Sequence, residues 1–177
     1  MRFARLLDIE AALANFRARL AVPNDVAISY YHEDNIALEW HPHVVFFPLM
    51  AILKGGVKFP VDPLILRTLR FYGLCLDQLP PNFYWLVSCV SRLNLLYRLH
   101  LDHHDINYTY SLCGNIRSGY YLKVRDIRAR IISCLPNSNR NSTGEFVWVS
   151  GNWHANKLTR PTLPRDVSWY RAHLTYF

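Results

Sequence analysis

The sequence predicts an α+β fold: mainly helical over its first two-thirds, then two β-strands flanking a short helix, then an irregular C-terminal tail. Three observations carry this. The stretch from Gly55 to Leu96 holds two helix starts, Asp62-Pro63 and Pro80-Pro81, each followed by apolar residues three or four apart. Beyond it lie two short runs rich in strand-forming residues, Tyr120–Val124 and Phe146–Val149. Hydrophobic residues make up 51% of the 177 positions and aromatic ones 14%, which is enough to build a core. At this length one globular domain over residues 1–154 is expected, with 155–177 as an irregular basic tail.

Each element has its own local reason. Phe3, Leu6, Ile9, Leu13, Phe16 and Leu20 recur at helical steps, and Val22-Pro23-Asn24 stops that helix. Val26–Tyr31 reads as a short extended run, and the acidic stretch 32–40 as a loop. His41-Pro42-His43 reads as a turn. Val44–Leu53 is almost wholly apolar, and its length and the following Gly55-Gly56 predict a buried helix with Pro48 in its first turn or at a kink. Asp62 caps the next helix, Pro63 takes its first position, and Gly73 supplies the left-handed residue that ends it after Tyr72. A longer helix runs from Pro80-Pro81 to about Leu99. Asp102, followed by Asp105, forms a capping box for a helix expected through about Cys113, with Gly114-Asn115 closing it. Asp126 is the start of a short helix reaching Leu135 and stopped by Pro136; residues 137–144 form a polar loop. The strands at 120–124 and 145–150 are expected to pair with each other. The predicted core contains Leu66, Leu69, Trp85, Leu86, Cys89, Val90, Leu93, Tyr108, Tyr121, Val147 and Val149.

The net charge of +7 is unevenly placed. Residues 1–105 carry ten basic and ten acidic side chains, while residues 106–177 carry ten basic and three acidic ones. Arginine outnumbers lysine sixteen to four, a bias that suits planar anions such as phosphate and carboxylate. Arg117, Lys123, Arg125, Arg128 and Arg130 lie among Tyr120, Tyr121, Asn115 and Asn139, and Arg160, Arg165 and Arg171 among Trp153, Trp169 and Tyr170. Basic residues interleaved with aromatics hold phosphates and stack bases, so Arg117, Lys123, Arg125, Arg128, Arg130, Arg160 and Arg165 are the candidate nucleic-acid contacts. A solvated basic face has the same appearance.

No constellation marks a reaction centre. The densest titratable cluster, His100-Leu-Asp102-His103-His104-Asp105, reads as a capping arrangement, since the paired histidines are not set on one uninterrupted helical face. Neither a G-x-S-x-G elbow nor a complete P-loop is present. Cys75, Cys89, Cys113 and Cys134 form no C-x-x-C motif, and Cys75 and Cys89, in apolar helical surroundings, read as reduced core residues. A non-enzymatic chain is expected, with no metal, no cofactor and no small-molecule ligand. No apolar run reaches the roughly 18 residues of a membrane span. Met1–Leu20 carries Asp8, Glu10 and four arginines, unlike a secretory signal. An intracellular location, cytoplasmic or nuclear, and no membrane partner are therefore expected.

Seven blocks, in order, carry a resemblance: LANFRARLAVPNDVAI from Leu13, GGVKFP from Gly55, LPPN from Leu79, LDHHDIN from Leu101, GYYLK from Gly119, SCLPNSN from Ser133 and VSGNW from Val149. Over residues 13–154 the chain resembles the gypsy-type transposon domain of plant retroelements and their genomic remnants. Asn152 stands where that family often has an acid between glycine and tryptophan, and the long acidic, coiled-coil continuation of many relatives does not follow. The resemblance implies a Gag-like, element-encoded domain, or a truncated remnant of one, without catalytic residues to transfer. D-[ST]-G protease, Tyr-x-Asp-Asp polymerase and C-x2-C-x4-H-x4-C knuckle motifs are missing from the sequence. The expected function is protein–protein interaction or self-association, with nucleic-acid binding through the basic segments 117–130 and 160–171 as the alternative.

Overall fold

Among the described residues, two antiparallel sheets and five α-helices make up an α+β fold. The computed structural model describes residues 10–30, 44–115, 119–133, 135 and 145–154. In chain order the elements are α1 (Glu10–Arg19), β1 (Val26–Tyr30), β2 (Val45–Pro48), α2 (Leu49–Leu53), α3 (Pro63–Tyr72), α4 (Pro81–Tyr97), α5 (His103–Thr109), β3 (Tyr110–Asn115), β4 (Gly119–Val124) and β5 (Phe146–Gly151). A 3-10 turn, Leu76–Gln78, joins α3 to α4.

The first sheet has the order β1-β5-β2, both pairs antiparallel. Val149 lies opposite Ile28 on one side and Val45 on the other, so the central strand places Val147 and Val149 in the core between two neighbours. The second sheet is the hairpin β3-β4, with Leu112 opposite Leu122. Leu49, Ile52, Ile65, Leu69, Phe83, Tyr84, Leu86, Val87, Val90 and Ile106 fill the space between helices and sheets. Tyr84 is wholly buried, and its phenol satisfies itself by donating to the Leu76 carbonyl.

Caps fix where α3 begins and ends. The Asp62 carboxylate accepts from the Leu64 N–H at 2.8 Å, Pro63 occupies the first turn, and Gly73 closes the helix in the left-handed region at φ 64. Gly55 is needed for a different reason: a side chain there would collide with the Ala51 carbonyl and come within 2.7 Å of Tyr84 Cβ.

Several expectations are corrected. Residues 44–53 are not one helix but β2 followed by the single turn of α2. Val45-Phe46-Phe47 finds its partner in β5, and Pro48, which has no N–H to give to a ladder or a helix interior, sits at the junction. The helix from Asp102 stops at Thr109, because Tyr110–Asn115 pairs with β4. Strands 120–124 and 146–151 do not pair with each other; each belongs to a different sheet. Residues 125–133 form turns, not a helix. Asp126 does accept from the Arg128 N–H at 2.9 Å, but the run it starts exposes residues 125–130 and has no apolar face to hold it.

Of the predicted core, Leu69, Leu86, Val90, Val147 and Val149 are buried, and Leu66, Cys89, Leu93 and Tyr121 are half-buried. Trp85 and Tyr108 point outward. Phe3, Leu6 and Ile9, the histidines at 32, 41 and 43, the loop 137–144 and the tail 155–177 lie outside the described residues.

Candidate interaction surfaces

Helix α4 carries the main candidate. Successive helical residues turn by about 100°, so Trp85, Cys89, Arg92 and Leu96 fall within about 60° of one another. Phe83, Leu86, Val87 and Val90 lie on the opposite side and are buried. Trp85 is 42% exposed and Leu96 74%. The outward stripe spans about 16 Å from Trp85 to Leu96, at 1.5 Å per residue. The Trp85 ring lies beside Gly56: a Cβ there would sit 3.7 Å from Cε3.

Past Arg92 the helix runs beyond the core and becomes apolar on more than one side. Leu95 is 80% exposed and Tyr97 68%, although Tyr97 faces the same azimuth as buried Val90. The end is nevertheless well built. Arg98 adopts the left-handed conformation at φ 52 and donates its N–H to the Asn94 carbonyl. The Asn94 side chain donates to the Leu101 carbonyl at 2.7 Å and accepts the Leu101 N–H at 2.9 Å. A rigid helix end that presents leucines to solvent has no role in holding this core together.

The charge on α4 itself is of one sign. Residues 81–97 contain no Asp or Glu. Arg92 and Arg98 are exposed, and neither side chain has an ion-pair or hydrogen-bond partner among the described residues. Lys54 and Lys58, both exposed, flank Gly56 at the Trp85 end. The Cys89 thiol is pushed up by burial, with the Arg92 guanidinium acting in the opposite direction, so Arg92 lies close to the stripe.

Next to this end lies the histidine cluster. The Asp102 carboxylate accepts from the N–H groups of His104 at 2.7 Å and Asp105 at 3.3 Å, while Asp105 accepts the Asp102 N–H at 2.8 Å. The His104 backbone N–H holds the Asp102 carboxyl below the ordinary carboxylate range. Partial burial opposes it; the Asp105 N–H and the two imidazoles reinforce it. The His103 and His104 rings lie 4.2 Å apart, and Phe71 packs on both at 5.1 and 5.4 Å. Asp102, His103 and His104 each offer a ligand atom within 4.8 Å of the others. Tetrahedral zinc needs ligand edges of about 3.3 Å, and Asp102 already spends one oxygen on the cap. The capping box accounts for the Asp102 and Asp105 carboxylates, while the His103 Nδ1 is buried without a hydrogen-bond partner among the described residues.

The sequence-predicted basic residues are partly brought together. Lys123, Arg125, Arg128 and Arg130 are all exposed along the end of β4 and the turns after it. Arg125 is held against α5: its backbone N–H donates to Thr109 at 2.9 Å and its Nε to the Asn107 carbonyl at 3.1 Å. Between those two acceptors stands Tyr108, 83% exposed. The Tyr72 hydroxyl reaches Asn107 at 3.3 Å, and burial pushes its phenol up, with Arg125 opposing. Arg117, Arg160 and Arg165 lie outside the described residues.

Sequence reasoning missed the free end of α4. The signal was there: after Arg92, leucine and tyrosine occupy three different azimuths, which one buried face cannot accommodate. No helix among the described residues is long and apolar enough to cross a membrane. Comparison of the chain with family models, with curated proteins and with solved structures found no match in any of the three.

Proposed function

We propose that this chain is a non-enzymatic interaction domain of retrotransposon origin, whose contact surface is the outward stripe and projecting end of α4. One observation carries the reading: Trp85, Leu95, Leu96 and Tyr97 are exposed on a helix whose other face is fully committed to the core. The ordered sequence blocks supply the proposed origin. The test is a photo-reactive amino acid at position 96, compared with the same probe at exposed Asn24. A discrete cross-linked product from position 96 alone supports the reading. Equal products from both positions, or none, remove it.

A second reading rests on a separate observation. Lys123, Arg125, Arg128 and Arg130 form an exposed basic run beside Tyr108, a combination that suits a single-stranded nucleic acid. It requires affinity for RNA or DNA that falls steeply with added salt and drops when Arg125 and Arg128 become glutamine. Absence of binding at low salt rules it out.

A further inference from the structure

Resting on the α4 interaction reading, we infer that the partner of this stripe is an acidic amphipathic helix of another protein, and that Arg92 selects it. The geometry is that of a ridge made to take a helix. Trp85 and Leu96 stand at its two ends, with the smaller Ser88 and Cys89, both half-buried, between Trp85 and Arg92. The Trp85 ring lies beside Gly56 and is the aromatic anchor this ridge offers.

Charge decides between occupants. Lys54 and Lys58 at one end, Arg92 in the middle and Arg98 at the other end are exposed, and α4 offers no carboxylate to neutralise them. Asp62, the N-cap of α3, is engaged by the Leu64 N–H and the Ser91 hydroxyl, and Asp102 and Asp105 past the far end are engaged by the cap of α5. A second copy docking by two-fold symmetry would set Arg92 against Arg92 in a chain already at +7. The chain's own 155–177 segment brings more cations, Lys157, Arg160, Arg165 and Arg171. A partner with leucine-like residues three or four apart and carboxylates flanking them meets both the apolar ends and the positive centre.

The test uses the full chain and two fluorescent peptides of about 20 residues, long enough to form a helix. Both carry leucines at helical spacing; one has glutamates and the other lysines at the remaining positions. The glutamate peptide is expected to bind, more weakly as salt rises, and the lysine peptide is not. Arg92→Glu is expected to weaken the glutamate peptide on the order of tenfold and to admit the lysine peptide; Leu96→Ala is expected to weaken binding without altering the unfolding temperature. Equal binding of both peptides, or of neither, overturns the inference. So does a concentration-dependent doubling of mass abolished by Leu96→Ala, which makes a second copy the occupant. Flotation with phosphatidylserine-containing vesicles, lost in Leu96→Ala, would make a lipid surface the occupant and also overturns it. A cross-link from position 96 without peptide binding leaves the interaction reading standing and removes this one alone.

Discussion

The Ser91 hydroxyl donates to the Asp62 carboxylate, so the cap that starts α3 is also a tie to the middle of α4. One carboxylate thus fixes both where one helix begins and how the next lies against it. Its second oxygen carries the capping bond from Leu64.

Replacing Asp62 with alanine removes both functions. The expected loss is about 1–2 kcal/mol for the cap. Ser91→Ala removes only the tie and should cost about 1 kcal/mol. Urea unfolding of both variants measures the difference; an Asp62→Ala effect no larger than that of Ser91→Ala would show that the cap contributes nothing.

Gly55→Ala should be among the most damaging single changes. The added methyl group meets the Ala51 carbonyl and lies 2.7 Å from Tyr84 Cβ, both in a packed core. A cost of about 2–3 kcal/mol is expected from overpacking. Gly73→Ala is the comparison, because a Cβ at that position would have nothing within 4 Å and only the left-handed φ of 64 opposes it. Thermal unfolding should rank Gly55→Ala as the less stable of the two.

The start of α5 should loosen in acid. The Asp102 carboxyl is held below its ordinary value, about 3.9 in an unfolded chain, first by the His104 N–H. A depressed folded value means that its contribution is complete above the unfolded value and is lost as pH falls through the folded one. Amide exchange at His104 and Asp105, taken relative to the intrinsic rate at each pH, should therefore rise on acidification below about pH 4. In Asp102→Asn that rise should flatten, since the amide oxygen accepts at every pH.

Cys89 reports on the α4 stripe. Burial raises its thiol and Arg92 opposes that rise. Alkylation at pH 8 should be slower than for a free cysteine, and slower again in Arg92→Gln, where the opposing charge is gone. Peptide mapping by mass spectrometry reads this, and Cys75, which is buried, serves as the unreactive reference. Faster alkylation in Arg92→Gln would contradict the placement of the guanidinium.

What could be read in the sequence divides along a physical line. Elements with local punctuation were legible: Asp62-Pro63 and Gly73 bound α3, Pro80-Pro81 launches α4, and Asp102 with Asp105 starts α5. Elements defined by a distant partner were not. Val45-Phe46-Phe47 is a continuous apolar run that suits a buried helix equally well until β5 is known to lie beside it. Tyr110–Asn115 follows α5 without a break and becomes a strand only because β4 pairs with it. At the candidate surface, Trp85 reads as core because Leu86 beside it is core. The turn of about 100° between adjacent helical residues separates them. The free end of α4 shows in the sequence only as apolar residues on several azimuths, because spacing along a helix does not reveal where the rest of the body stops.

The middle strand of the first sheet, β5, is the last of its three strands to be synthesised. Among the described residues, Val26–Tyr30 and Val45–Pro48 find their ladder partners only in Phe146–Gly151. On the ribosome both segments must wait, with unpaired edges, for some hundred residues of nascent chain to emerge. Completion of this sheet is therefore tied to the arrival of a strand encoded far downstream of its two neighbours.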